Sequence, residues 1–221
     1  MPTPGFPAGT LTEEGDPAWI EELASEDPNH LLHVVRGLSP EDAVAVLGGS
    51  VLRWLPPLSL PAERLTERTP LARGLLVDPQ DADGGLLVAG RHGEWTFVYD
   101  DSHAWARAAD GRDATVALAD EGRVAATSGY SINADTSISY AVDGEEIFSV
   151  TEPYHLEELE EEEDIPADLV PATRAAGVLH EDPELDYGVN MRVVCAVAGL
   201  TWTVQDLRST PLLIANLRRN A

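Results

Sequence analysis

Seven carboxylates fall within the eight positions from Glu157 to Asp164 of the stretch HLEELEEEEDIPADLV: Glu157, Glu158, Glu160, Glu161, Glu162, Glu163 and Asp164. Like charges at that density repel and cost stability, so the run is expected to stay in water even though LEELEEEE has helical propensity. The wider region from Asp143 to Asp186 holds sixteen acids against one base, Arg174. Attraction of cations is the chemistry this composition offers. A solvated face is the plain reading of such a run, and electrostatic docking of a basic protein partner is the functional one.

A second constellation is VYDDSH, where Asp100, Asp101 and His103 stand at the end of an expected strand. A carboxylate beside an imidazole can do general acid or base work, so a small hydrolase-type enzyme using Asp100, Asp101 and His103 is the alternative hypothesis. Against it, adjacent residues seldom aim at one substrate atom, and Asp and Ser at a strand end commonly cap the loop. The aromatic alternation Trp95, Phe97, Tyr99 suggests either a small-molecule surface or one face of a core strand.

Other reactive residues lack the company that chemistry requires. The histidines are His30, His33, His92, His103, His155 and His180, and none stands at metal-ligand spacing. In HLLH, His30 and His33 fall on opposite sides of a strand. DPQDADGG fails the calcium-loop register, with Pro79 at the first ligand position and Gly90 where a bidentate Glu belongs. TSGYSINAD is no nucleophile elbow, since Asn133 stands where the second Gly would. The lone Cys195, in MRVVCAVAGL, reads as core filling. No cofactor and no metal is expected.

The chain has 14 Lys and Arg, all of them Arg, against 39 acids, for a net charge of −25. Without lysine there is no P-loop, no pyridoxal Schiff base and no kinase strand lysine. The negative surface disfavours direct nucleic-acid binding, which draws its affinity from Lys and Arg. No apolar stretch is long enough to span a membrane, and the opening MPTPGFPAGTLTEEGDP lacks the basic and apolar regions of a secretory signal. A soluble, cytoplasmic chain is expected, and the single cysteine agrees with a reducing compartment. The composition leaves oligomeric state undetermined.

These residues must be positioned by a core, which a chain of 221 residues with 43% hydrophobic content can build. The expected organisation is a loose N-terminal arm over 1–15 and one α+β domain over 16–221, with an acidic segment at 152–186. DPAWIEELA predicts a short helix with Asp16 as cap and Pro17 in the first turn. HLLHVVRG predicts a strand. SPEDAVAVLGG predicts a helix capped by Ser39, with Ala43, Val44 and Leu47 inward. LLVAGRHGEWTFVYD predicts a hairpin around GRHG, and RVAATSG a further strand. DTSISYAVDGEEIFSV predicts a second hairpin turning at Asp143 and Gly144, which sets Tyr140 opposite Ile147 and Ser139 opposite Phe148. PADLVPATRAAGV and DPELDYGVNMRVVCAVAGL predict helices, the second facing inward with Met191, Val194, Cys195 and Ala198. Thr203 and Asp206 form an expected capping box, and PLLIANLRRNA a last turn or helix. The fold class is therefore α+β, an antiparallel sheet built from hairpins and flanked by helices.

Taken in order, VVRGLSPEDAVAVLGG, GEWTFVYDD, SINADTSISYAVDGEEIFSVTEP and MRVVCAVAGLTWTVQDL resemble an uncharacterised actinobacterial family catalogued as a domain of unknown function. The likeness lies in a Gly-Leu-Ser-Pro-Glu helix, a Gly-x-Trp-Thr strand and a Tyr-Ala-Val-Asp-Gly hairpin, across roughly residues 30 to 208. It departs at FSVTEP, where the family pattern closes Phe-Asp-Pro. The resemblance implies the α+β fold and carries no activity and no site residue.

Overall fold

The computed structural model describes residues 3–23, 29–59, 85–101, 107–131, 135–151, 156, 165–178 and 186–217. The acidic run Glu157 to Asp164, together with His103, His155, His180 and the stretches PAERLTERTP and DPQDADG, lies outside them. The elements are α1 (Ala18–Glu21), β1 (His30–Arg36), α2 (Pro40–Val46), β2 (Gly49–Leu55), β3 (Gly85–His92), β4 (Trp95–Asp100), α3 (Ala114–Leu118), β5 (Val124–Tyr130), β6 (Thr136–Val142), β7 (Glu145–Thr151), α4 (Val170–Ala176), α5 (Val189–Val197), α6 (Val204–Arg208) and β8 (Leu212–Leu217).

All eight strands join one antiparallel sheet in the order β2-β8-β3-β4-β1-β5-β6-β7. Both faces are apolar, because its central strands carry hydrophobic residues at odd and even positions alike. On one face Val35, Leu87, Val98 and Leu213 pack under Ala43, Val44 and Leu47 of the α2 region and Ala114 and Leu118 of α3. On the other, Leu32, Val34, Phe97, Tyr99 and Ile138 pack under Trp19, Leu169, Val194 and Leu207. The aromatic alternation on β4 therefore belongs largely to the core: Phe97 meets Trp19 edge-on with ring centroids 5.2 Å apart.

Local sequence explains where the helices start. Ser39 Oγ accepts the Asp42 N–H at 3.1 Å, with Pro40 in the first turn. Asp113 Oδ1 accepts the N–H groups of Thr115 and Val116 at 2.8 and 3.2 Å and starts α3, in a stretch whose sequence is compatible with either a short helix or a strand. Thr203 and Asp206 form the expected capping box. Gly177, at φ +89°, stops α4 in the left-handed region.

Several expectations are corrected. Asp16 does not cap α1, which begins at Ala18 after Pro17 without a side-chain cap. Residues 3–15 are no loose arm: Phe6 is buried, the Gly5 N–H donates to the Ala175 carbonyl at 2.9 Å, and the Ala18 N–H donates to the Thr10 carbonyl at 2.9 Å. The second hairpin turns at Asp143 and Gly144, but a bulge at Ile147 shifts the register, so Tyr140 faces Phe148 and Ser139 faces Ser149. The first hairpin turns at Gly93 and Glu94, two residues past the middle of GRHG, because His92 pairs with Trp95. PLLIANL is strand β8 rather than a turn or helix, inserted between β2 and β3, and the Pro-broken stretch that begins VLRWLPP supplies the edge strand β2. Helix α5 starts at Val189 and buries Asn190, Arg192 and Val193 as well as the expected stripe, since α4 and the N-terminal segment close its outer side.

Candidate functional site

Register gathers several polar residues at one end of the sheet. His30 opens β1 opposite Tyr130, which closes β5; Tyr130 lies opposite Thr136, which opens β6; and Thr151, closing β7, pairs with Ser137. Asp100 closes β4 at this same end, opposite Leu31. The connections carrying His103 and the acidic run therefore leave the sheet here, after Asp100 and Thr151. Two core side chains, Leu156 and Ile165, bracket the seven carboxylates.

The N-terminal segment and the start of α5 add carboxylates to this end. Arg192 is buried and ties the layers together: its Nη1 donates to Asp186 at 2.6 and 2.9 Å and to the Gly15 carbonyl at 2.8 Å, and its Nε donates to the Ala176 carbonyl at 3.3 Å. Asp16 is half-buried beside these groups. Burial, then the nearby charges of Glu21 and Asp186, raise its carboxyl to about 6, and Arg192 only partly offsets them. Burial, followed by Asp16 and Tyr187, raises the Tyr130 phenol. His30 stacks on Tyr130 with ring centroids 5.9 Å apart and also approaches Tyr99. Burial lowers its imidazole to about 4, so the ring is neutral at pH 7.

Beneath this rim, the fully covered atoms His30 Nδ1, Ser128 Oγ and Asn190 Oδ1 have no hydrogen-bond partner among the described residues. Asn190 Nδ2 donates to Thr136 Oγ1 at 3.0 Å. Such residues are costly in a core and call for an explanation. Asn190 and Arg192 could have been noticed in sequence as polar interruptions of the apolar run VNMRVVCAV. His30 and Ser128 carried no such signal.

A separate polar string lies on the opposite face, under α3. Thr115 Oγ1 donates to Thr127 Oγ1 at 2.8 Å, and Thr127 meets His33 Nδ1 at 2.9 Å. With Thr127 accepting from Thr115, its own proton goes to Nδ1, which places the ring proton on Nε2, facing Asp100 Oδ2 at 4.0 Å. The order carboxylate, imidazole, hydroxyl is that of a catalytic triad, yet Thr115 and Thr127 are 0% and 4% exposed. No substrate reaches them, and the string pins α3 to the sheet.

Asp100 thus faces His33, while Asp101 accepts the Leu86 N–H. The two carboxylates that sequence placed side by side serve different internal partners, and His103 lies outside the described residues. His30 and His33 do point to opposite faces. Cys195 is fully buried, and burial raises its thiol far above the ordinary range, which leaves it unreactive. Among the described residues, no group of three or more His, Cys, Asp or Glu is placed to hold a metal ion, and no helix is long and apolar enough to cross a membrane.

No family model, curated protein or solved structure matches this chain. The resemblance to the actinobacterial family rests on the sequence motifs alone.

Proposed function

We propose that the protein is a non-catalytic interaction module that docks a basic protein partner, as an immunity-like or regulatory protein does, at the acidic end of its sheet. The observation that carries this reading is topological. Asp16, Asp101, Asp135 and Asp186 stand at the end of the sheet from which the segment holding Glu157, Glu158, Glu160, Glu161, Glu162, Glu163 and Asp164 departs. Charge concentrated in this way steers oppositely charged proteins and raises their rate of encounter. The hydrolase-type alternative has less support, because Asp100 and Asp101 are taken up by separate internal contacts.

The test is capture of a partner from the source cell by the tagged chain at about 0.05 M and about 0.5 M salt, a range over which screening shortens from roughly 14 to 4 Å. The captured protein is expected to be basic, to be lost at high salt, and to bind weakly when Glu160 to Glu163 are changed to Gln. Capture indifferent to both salt and those substitutions overturns the reading.

A further inference from the structure

The two strands that end the sheet differ in character. β7 closes one side, opens with Glu145 and Glu146, and is followed in the chain by the acidic run. β2 closes the other side. No acid falls between Asp42 and Glu63, although the chain has 39 acids, and the one base in that span is Arg53 on β2. Seven inter-strand spacings of about 4.8 Å separate the two edges, so roughly 34 Å of sheet, about four screening lengths at physiological salt, keeps β2 out of the field of β7.

Apolar exposure follows the same division. Val51, Trp54 and Leu58 are 47%, 44% and 71% exposed, and the other exposed large hydrophobics among the described residues are Ile147 and Tyr187 alone. Bulges at a sheet edge ordinarily deter pairing. The one in β2 gathers apolar surface instead: Val51 pairs with Ala215 and Trp54 with Leu213, which share the α2 face, so two side chains three residues apart stand on the same side. The Trp54 indole N–H donates to Glu41 Oε1 at 2.9 Å, so covering the ring strands no donor and that carboxylate is engaged.

Among the described residues β2 has one strand neighbour, β8, and its outer edge is open to a further chain. A basic partner finds no carboxylate on this strand to attract it. The strand is, by contrast, complementary to itself. A two-fold axis between Leu52 and Arg53 sets Val51 of each copy opposite Trp54 of the other on the α2 face, and Leu52 opposite Arg53 on the other face. The antiparallel approach also turns the acidic ends of the two copies in opposite directions.

We propose that β2 is the two-fold interface of a homodimer, with Val51 and Trp54 of each copy packed against those of the other. This interface stands apart from the acidic end and rests on no part of the docking reading. Because each chain carries a net charge of −25, the two copies repel at long range, and their association should tighten with salt, the opposite of the sense expected for capture of a basic partner.

The experiment is sedimentation velocity of the full chain from about 1 μM to about 1 mM, at about 0.05 and about 0.5 M salt, with hydrogen exchange at both ends of the concentration range. A monomer–dimer equilibrium is expected, severalfold tighter at the higher salt, with amides of residues 50–54 gaining protection as the dimer forms. Val51→Glu breaks no described side-chain bond and places two like charges in the interface, so it should weaken the dimer at least about tenfold. Ile147→Glu adds the same charge on the far edge and should leave association unchanged; Trp54→Ala should act as Val51→Glu does. A chain that sediments as a monomer throughout, association that weakens with salt, or equal effects of Val51→Glu and Ile147→Glu overturns the interface. A monomer in which residues 50–54 are already protected shows the edge to be covered within one chain, and it overturns the second copy as occupant. Loss of the dimer in Val51→Glu with salt-sensitive partner capture intact supports two separate surfaces, and failure of partner capture leaves the dimer result standing.

Discussion

Replacing Asp16 by Asn should stabilise the protein at neutral pH. The folded carboxyl titrates near 6 against 3.8 for the free group, so between those values the native state holds a proton that the unfolded chain has lost. Stability is therefore lost as pH rises through that window, and the deficit is complete above about 6. The full shift corresponds to about 3 kcal/mol, and partial exposure of Asp16 brings a realistic value to roughly 1.5 kcal/mol. Asparagine keeps the shape and removes the charge. Urea unfolding of both proteins, followed by fluorescence of the buried Trp19, should give equal stabilities near pH 3.5 and a gap that opens towards pH 7. Taking the difference between the proteins cancels the other 38 acids of the 39. A gap that does not change with pH, or an Asp16→Asn variant that is less stable at pH 7, refutes the account of why Asp16 is perturbed.

His30 works in the opposite sense. Its folded imidazole is lowered to about 4, so its contribution is present above about 6.5 and lost as pH falls through 4; His30→Phe should remove up to roughly 2 kcal/mol of acid sensitivity in that window, measured by the same unfolding series. Arg192→Met should cost about 3 kcal/mol, because Asp186 and the carbonyls of Gly15 and Ala176 lose their common donor. Hydrogen exchange should then quicken at the amides of Gly5 and Ala18, which hold residues 3–18 in place, and unchanged protection there would show that Arg192 is not the clasp.

Elements whose ends are fixed by neighbouring residues were legible in the sequence. Ser39 and Pro40 announce α2, Thr203 and Asp206 announce α6, and Asp143 with Gly144 announces a turn, because each acts through bonds a few residues long. The hairpin register was not legible, since the bulge at Ile147 leaves no mark in a run of alternating residues. PLLIANL suggests a turn or helix because a strand buried on both faces has no period of two to display. The pairing of Asp100 with His33 was hidden for a different reason: it joins β4 to β1 across the sheet, whereas sequence offered His103 as the nearest imidazole. The acidic run was plain from composition. The acceptors Ser128, Asn190 and His30 were not, since only the register of β1, β5 and β6 assembles them.

The place of β8 in the sheet governs the order of assembly. It slots between β2 and β3, so β2 lacks its one neighbour in the sheet, and β3, already paired with β4, lacks its second, until residues 212–217 are available. The nascent chain must meanwhile hold two apolar strand edges apart. Closing a loop of that span carries an entropic cost that only the finished ladder repays, which makes threading of this strand the natural slow step in folding.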